Sequence, residues 1–293
     1  MHSYLKSIGF SQIRTIRGQE ELIGEVLRSY DYKKVAADRN NQLFAQISKE
    51  YAQDMGITVC GYYDDENLFH MEYYYPYFNG TQITSYQQIA VEKHAGEEAY
   101  AGACDDLRVG TTLIFYLLNA GEYLSTQGKG RLFYEMQNTS VSLSALSDGG
   151  VILLPLEKSK LQQEKDAQTQ KKRNSLYMAA ANGDQDAIES LTMEDIDAYT
   201  MISRRIQHED VYTIVDSYFM PYGLECDFYN IMGEIRECRA FRNSRTGEEL
   251  YHLSVVTNEI PLDICINQKD LTGVPLPGRR FKGTIWLQGY VNF

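Results

Sequence analysis

The sequence lacks the residue patterns that mark familiar catalytic and metal sites. It contains no Gly-x-Ser-x-Gly nucleophile turn and no Cys-x-x-Cys pair, and the glycine-rich run at 127–131 has neither the spacing nor the Ser or Thr of a phosphate-binding loop. Its five cysteines are an odd number at wide spacings, which argues against a disulfide framework and a zinc ribbon. We therefore favour a protein that is not an enzyme, and we expect no metal and no cofactor.

Positive charge is scarce, and long apolar runs are missing. The formal net charge of −12 repels phosphate backbones, which disfavours nucleic acid as a partner. The apolar run Leu113–Leu118 is far shorter than the roughly 20 residues of a membrane helix. The first residues show no basic segment followed by an apolar core, as a secretory signal would. We expect a cytoplasmic protein without a membrane partner.

Residues 1–156 are predicted to form an α+β domain with a mixed antiparallel sheet. Helical spacing of apolar residues predicts its helices, and alternation of apolar and polar residues predicts its strands. The polar run Asp64–Asn67 predicts a hairpin turn, and the run Ser147–Gly150 predicts a second one. The predicted helices are Ser3–Ile8, Gln19–Tyr30 and Asn41–Tyr51, and the predicted strands are Ile57–Tyr63, Leu68–Phe78, Tyr86–Glu92, Leu113–Leu118, Thr139–Leu146 and Val151–Leu156.

Two polar segments follow this domain. Residues 157–173 are rich in Lys, Gln, Glu and Asp without apolar periodicity, which predicts a charged helix or linker that proteases should cut first. Residues 174–223 are predicted to be helical. Asp184 is the expected N-cap of a helix over Gln185–Leu191, and Thr192–Asp195 is the expected start of a helix over Ile196–Ile206. A further helix is predicted over His208–Met220.

Residues 224–293 are predicted to form a small β-barrel of the oligonucleotide/oligosaccharide-binding (OB) type, with a two-layer sandwich as the alternative. Glycines in the last strand permit the bend that closure of a barrel requires. The five predicted strands are Phe228–Ile235, Arg239–Arg242, Glu248–Thr257, Ile260–Asn267 and Arg279–Val291.

The last predicted strand carries the strongest candidate for a ligand site. Its alternation places Phe281, Ile285 and Leu287 on one face, which we assign to the barrel core. The other face and the loop before it carry aromatic and cationic side chains that suit a sugar or a base: Trp286, Tyr290, Lys282, Arg279 and Arg280. The alternative, which we favour, is that this face docks against the helical segment and shields Trp286 from solvent.

The remaining candidate residues are better explained by structure than by chemistry. His70 lies near the carboxylates of a turn, where acids are common, so we do not predict a metal site there. Cys104 is the least unfavourable candidate nucleophile, but a buried thiol is the simpler explanation. His94, His208 and His252 have no partner at ligand spacing in the sequence. We expect most of the 23 tyrosines to pack against sheets.

Three segments carry a resemblance to a known family. They are Ile202–Val211, Tyr218–Gly223 and Gly278–Gly289, and in combination they resemble an uncharacterised family of bacterial proteins, catalogued only as a domain of unknown function. The resemblance spans nearly the whole chain and implies a bacterial cytoplasmic protein. It implies no activity, cofactor or catalytic residue.

The leading hypothesis is a non-enzymatic binding or protein-interaction protein, whose partner is another protein or a second copy of the chain. The first alternative is a binder of single-stranded nucleic acid or glycan through the barrel face. The second alternative is a hydrolase whose catalytic residues are dispersed along the sequence. The arrangement of positive charge separates the first alternative from the leading hypothesis. The first alternative requires Arg279, Arg280, Lys282 and Trp286 to share one groove.

Overall fold

The computed structural model describes residues 3–38, 40–93, 99–127, 139–156, 160–181, 183–223 and 226–293. It consists of a four-stranded antiparallel sheet, a ten-stranded sheet that contains a closed five-stranded barrel, and helices that include a long antiparallel pair. The predicted α+β class, with an N-terminal sheet, a helical connector and a small barrel, is confirmed.

The elements are numbered in chain order. A 3₁₀ helix at Ser3–Ile8 comes first, and the α-helices are α1 (Ile16–Arg28), α2 (Ala120–Gln127), α3 (Lys160–Ala181), α4 (Gln185–Arg205) and α5 (Val211–Ile214). The strands are β1 (Tyr32–Ala37), β2 (Leu43–Ala52), β3 (Met55–Tyr63), β4 (Phe69–Phe78), β5 (Ile89–Lys93), β6 (Tyr100–Asp106), β7 (Thr111–Leu117), β8 (Ser140–Leu153), β9 (Tyr218–Pro221), β10 (Phe228–Arg242), β11 (Glu249–Thr257), β12 (Ile260–Asn267), β13 (Leu271–Thr272) and β14 (Arg280–Asn292).

The four-stranded sheet has the order β1-β2-β3-β4, and its β3–β4 hairpin matches the predicted one. The Asp64 carboxylate holds the hairpin turn by accepting hydrogen bonds from the backbone N–H groups of Glu66 and Leu68. The predicted helix at Asn41–Tyr51 is wrong, because this segment is strand β2. Phe44 to Ser48 are all buried, so the strand has no polar face and its apolar spacing mimics a helix.

The barrel closes through the strand order β8-β12-β11-β10-β14, with β14 returning to β8. β8 runs parallel to β12 and antiparallel to β14. Two predictions are corrected here. The segments Phe228–Ile235 and Arg239–Arg242 form the single strand β10, and the fifth barrel strand is β8, which precedes the helical connector in the chain.

The predicted hairpin at Ser147–Gly150 is also wrong, because β8 continues through these residues. A Cβ atom added to Gly150 would lie 2.3 Å from the Phe281 ring of β14. The glycine therefore permits close approach of an aromatic side chain to the strand instead of a turn. A glycine pair in a sequence does not distinguish these two uses.

One continuous core runs from the first residues to the last strand. The 3₁₀ helix packs against β8 and β12, and the Asn243 side chain donates a hydrogen bond of 2.8 Å to the carbonyl of Ile8. Buried residues of the four-stranded sheet and of the barrel belong to the same cluster. The division into 1–156, 157–173, 174–223 and 224–293 stays a prediction about units that fold independently.

The connector forms a helical hairpin of α3 and α4. Asp184 caps α4 as predicted, since its carboxylate accepts hydrogen bonds from the N–H groups of Asp186 and Ala187. The predicted helix start at Thr192 is wrong. Thr192 lies inside α4, where its hydroxyl donates to the carbonyl of Ile188. Residues 208–220 form the short helix α5 and strand β9 instead of one helix.

None of the helices in these described ranges combines the length and the apolar character that a membrane crossing requires.

Candidate functional site

Trp286, the centre of the predicted ligand face, is buried in the structure. It is 3% exposed, and its ring lies 4.9 Å from that of Tyr116 and 5.5 Å from that of Tyr4, measured between centroids. Its indole N–H donates a hydrogen bond of 2.7 Å to the Asp227 carboxylate. Trp286 therefore packs between elements of the same core and presents no ring face for a ligand to stack on. None of these three partners lies in the helical hairpin.

The three cations of the predicted site bind neighbouring parts of the chain, and Arg280 and Lys282 share Tyr212 as a partner. Lys282 donates a hydrogen bond to the Tyr212 hydroxyl, which raises the pKa of Lys282. Arg280 is buried and donates to the carbonyls of Leu154, Val215 and Tyr212, so it ties the ends of β8 and α5 to the barrel. Arg279 donates to the carbonyl of Val274 within its own loop.

Tyr290 lies farther along β14 and donates hydrogen bonds of 2.8 Å to both oxygens of the Glu122 carboxylate on α2. Burial, with the nearby Glu122 charge, raises the pKa of Tyr290. Ten residues of strand separate it from Arg280, which corresponds to about 33 Å. The five predicted residues share a strand face and its loop, but the structure does not gather them into one groove.

A cleft of about 720 Å³ lies between the helical hairpin and one end of the barrel. Charged groups of both signs and uncharged polar groups line it, and none of its lining residues that the structure describes is aromatic. Its lining residues are Pro155, Leu156, Thr169, Gln170, Arg173, Asp216, Ser217, Glu234, Arg236, Val256, Asn258, Glu259, Gly278 and Arg280. Walls of this kind suit a small polar molecule better than a large apolar one.

Glu259 is a carboxylate in this cleft whose pKa is shifted by its surroundings. It occupies the β11–β12 turn with φ of 64°, and its carboxylate lies 3.7 Å from the Arg173 guanidinium of α3. Its second carboxylate oxygen is buried and has no hydrogen-bond partner among the described residues. Burial raises the pKa of Glu259, and the charges of Arg173 and Arg108 only partly oppose that effect. Glu259 therefore links the barrel to the hairpin electrostatically.

Beside the cleft, Asp106 and Arg108 form a buried ion pair that joins three segments. Asp106 accepts hydrogen bonds from Arg108 and from the hydroxyl of Ser85, and Arg108 also donates to the carbonyls of Thr84 and Glu259. Burial opposes ionisation of Asp106, but the hydrogen bonds and charge of Arg108 outweigh it and lower the pKa of Asp106. This pair fixes the β11–β12 turn against the β6–β7 hairpin.

Asp106→Asn should lower the free energy of unfolding by about 2 kcal/mol at neutral pH, because it leaves the half-buried Arg108 charge without its counter-ion. A group whose pKa is lowered on folding stabilises the protein above its unfolded pKa of about 3.9, and this stabilisation is lost as the pH falls further. The difference between wild type and variant should therefore shrink below about pH 4. Urea unfolding at neutral and acidic pH measures it.

Asp105, the exposed neighbour of Asp106, supplies the control for this prediction. Asp105→Asn also removes one carboxylate from β6, but its change in unfolding free energy should stay within about 0.5 kcal/mol. If both variants lose the same unfolding free energy, the Asp106–Arg108 pair stabilises the fold no more than an exposed carboxylate does.

A His–Asp pair lies on the outer face of β11 and β12. The His252 Nε2 atom is 2.9 Å from the Asp263 carboxylate, whose other oxygen accepts 2.7 Å hydrogen bonds from both the backbone N–H and the hydroxyl of Thr81. Ser254 shares the outer face of β11 with His252, and both line a recess of about 260 Å³. The sequence offered no signal for this pair, because its two members are joined only by strand register.

The other candidate residues occupy the structural positions expected of them. Cys104 is buried, and burial together with the Asp105 and Asp106 charges raises its pKa to about 12, which disfavours the reactive thiolate. His70 is exposed at the start of β4, with Nε2 2.6 Å from the Asp64 carboxylate of the preceding turn. The described residues contain no cluster of three or more His, Cys, Asp or Glu that could hold a metal ion. His94 and most of the run 127–131 lie outside the described residues.

The helical hairpin carries the densest set of exposed apolar side chains that we describe. Between residues 178 and 206, seven large apolar residues are exposed: Met178, Ile188, Met193, Ile196, Tyr199, Met201 and Ile206. The hairpin's own buried cluster contains only Ala180, Ala187 and Leu191 among the described residues. Exposed apolar surface of this kind marks interaction sites.

Comparison with curated proteins and with solved structures found no match. A family model described as "Domain of unknown function, E. rectale Gene description (DUF3881)" matches residues 5–289, and this chain therefore belongs to that family.

Proposed function

We propose that this protein is a non-enzymatic interaction protein and that the exposed apolar surface of the α3–α4 hairpin is where its protein partner binds. The observation that carries the proposal is the contrast between seven large exposed apolar side chains and three buried residues inside the hairpin. Covering such a surface with a partner lowers the free energy, because it removes many apolar groups from water.

A photo-crosslinking experiment tests this proposal with a matched control. A photoreactive amino acid replaces Tyr199 on α4, which is 74% exposed, or Tyr86, which is 76% exposed and is not part of the hairpin. Illumination of cells that produce the protein should yield discrete protein adducts from position 199 and none from position 86. The proposal fails if neither position gives adducts or if both give the same pattern.

The alternative function, binding of single-stranded nucleic acid or glycan through the barrel, rests on the pattern of strand pairing. We infer an OB-like barrel, because β10, β11 and β12 form a meander, β10 and β8 both pair antiparallel with β14, and β12 pairs parallel with β8. This is the OB pairing with the final strand moved to the front of the chain. OB barrels bind ligands on the face of their second and third strands, which correspond here to β11 and β12.

Two observations weigh against this alternative. Asp263 on that face binds the segment at Thr81, which covers part of the surface a ligand would need. Trp286, the aromatic that this alternative requires for stacking on a ligand, is buried on β14. The hydrolase alternative draws its support from His252 and Asp263, but the bonds from Thr81 to Asp263 give this pair a structural role.

We also infer a bacterial cytoplasmic protein. The family description names the bacterium E. rectale, which supports a bacterial origin. Three of the five cysteines are buried free thiols, which supports a reducing compartment.

A further inference from the structure

The contact that we describe between the α3–α4 hairpin and the barrel is charged. Among the described residues, the buried cluster of the hairpin, Ala180, Ala187 and Leu191, is separate from the continuous core. The Arg173 guanidinium of α3 lies 3.7 Å from the Glu259 carboxylate of the β11–β12 turn. Both residues line the cleft of about 720 Å³ and a second cleft of about 400 Å³ beside the β6–β7 turn. This contact therefore bridges open space, and breaking it exposes little apolar surface.

The C-terminal end of the hairpin leads into a segment that is fixed to the barrel. Residues 206–210 connect α4 to α5 and are exposed. Arg280 of β14 donates hydrogen bonds to the carbonyls of Tyr212 and Val215, and Lys282 donates one to the Tyr212 hydroxyl. An exposed connector absorbs changes in backbone angles more easily than a packed element does. The hairpin can therefore turn about residues 206–210 while α5 stays in place.

Two arginines and one carboxylate of neighbouring elements act on Glu259. Arg108 of the β6–β7 turn binds Asp106, and Arg173 binds Asp195 of α4 at 3.0 Å. Each guanidinium therefore has a carboxylate partner besides Glu259. Glu259 adds a third carboxylate to two cations, and the Asp195 charge opposes its ionisation.

Other polar groups of the hairpin compete with Glu259 for Arg173. The Glu194 carboxylate lies 2.9 Å from Lys172 and 3.4 Å from Arg173. The Tyr177 hydroxyl accepts a hydrogen bond of 2.6 Å from Arg173. The guanidinium is thus shared among several acceptors, and Glu259, at 3.7 Å, is the most distant of them.

The β11–β12 turn places Glu259 where an ionised carboxylate is costly. One of its oxygens is buried and has no hydrogen-bond partner among the described residues. Asn258 and Glu259 form the two-residue turn with φ of 46° and 64°, a conformation for which Asn-Gly is the favoured pair. Glu259 therefore combines a strained backbone with an unpaired buried oxygen. Burial raises the pKa of Glu259 above its usual value of 4.5.

We propose that a proton on Glu259 clamps the helical hairpin onto the barrel and that release of this proton to solvent opens the cleft between them. Opening returns Glu259 to water, so the closed form holds the proton more tightly than the open form. By linkage, closure is strongest while Glu259 is protonated in both forms, and it weakens as the pH rises above 4.5 and through the raised pKa of the closed form. The clamp does not depend on a protein partner, because Arg173 and Glu259 are not part of the exposed apolar surface of the hairpin.

Energy transfer within the full chain measures the opening. Trp286, the sole tryptophan, is buried in the barrel and serves as the donor, and a fluorescent acceptor amino acid replaces the exposed Tyr199 of α4. We expect transfer to change between about pH 5 and about pH 8, with the open fraction rising by at least about threefold. Circular dichroism at both pH values shows whether the fold is retained.

Glu259→Gln keeps the shape of the side chain but cannot release the proton, so transfer should stay at its closed value at both pH values. Glu234→Gln is the matched control. It removes a carboxylate that lines the same cleft, where Glu234 is exposed and pairs with Arg236 at 2.8 Å. This control should keep the pH response of the wild type.

Asp195→Asn tests the competition for Arg173 and leaves Glu259 in place. The substitution frees the Arg173 guanidinium for the ionised Glu259, so the hairpin should open less than in the wild type at about pH 8. A variant that opens more than the wild type would contradict the clamp.

Three further results overturn the proposal: transfer in the wild type that does not change with pH, a pH response that survives in Glu259→Gln, and a pH response that is lost in Glu234→Gln. Photo-crosslinking at position 199 decides separately whether the hairpin binds a protein partner. Failure of the clamp therefore leaves the proposed function standing, and failure of the proposed function leaves the clamp standing.

Discussion

A fragment that spans only residues 224–293 should fail to fold. Four of its strands, β10, β11, β12 and β14, would form an open barrel, because β8 normally fills the gap between β12 and β14. Without β8, two long strand edges lose their hydrogen bonds, and buried residues such as Ile264 and Leu287 meet solvent. Circular dichroism and heteronuclear NMR should show an unfolded chain.

Cleavage of the intact chain within 157–173 is the control for the fragment 224–293. It separates the effect of a break in the chain from the effect of losing β8. An introduced protease site there breaks one peptide bond but removes no strand, so the two pieces should stay associated and melt in one transition. Size-exclusion chromatography and calorimetry measure both properties. A fragment 224–293 that melts cooperatively by itself would contradict this expectation and would support a domain boundary at 156.

Trp286→Ala should lower the free energy of unfolding by about 3–5 kcal/mol, the usual cost of emptying a large buried aromatic site. The substitution removes the ring contacts to Tyr4 and Tyr116 and the hydrogen bond to Asp227. Chemical denaturation measures the loss. Acrylamide should quench the wild-type tryptophan weakly, because the side chain is buried.

Tyr86→Ala is the matched control, since this exposed ring should contribute within about 0.5 kcal/mol. Trp286→Phe separates packing from hydrogen bonding, because it keeps a ring but loses the N–H group, and it should cost about 1–3 kcal/mol. A strongly quenched tryptophan, or a stable Trp286→Ala variant, would instead make β14 the place to look for a ligand.

Sequence patterns correctly predicted the elements that are specified by residues close together in the chain. The β3–β4 hairpin was predictable because Asp64 and the alternating aromatics of β4 specify its turn and register. Asp184 was predictable as a helix cap because its carboxylate bonds to the next residues in sequence. By contrast, β2 was read as a helix, because a strand buried on both faces has no alternation to detect.

The candidate sites were less predictable, because their partners are distant in sequence. Asp227 lies 59 residues from Trp286, and Arg280 binds carbonyls that are 65 and 126 residues away. His252 and Asp263 are adjacent only through the register of β11 and β12. The exposure of four apolar residues on one face of α4, which we call the α4 stripe, was likewise hidden: Ile188, Ile196, Tyr199 and Ile206. An apolar stripe on a helix predicts burial without indicating which surface covers it.

The sequence by itself determined the acidic surface, the absence of recognised catalytic motifs, the α+β class and the polar connector, because each of these depends on composition or on neighbouring residues. Tertiary structure alone decided that β8 closes the barrel, that Trp286 is buried and that the α4 stripe remains exposed. The physical reason is that strand pairing and burial are properties of surfaces brought together from distant parts of the chain. Their free energy does not appear in any local pattern of residues.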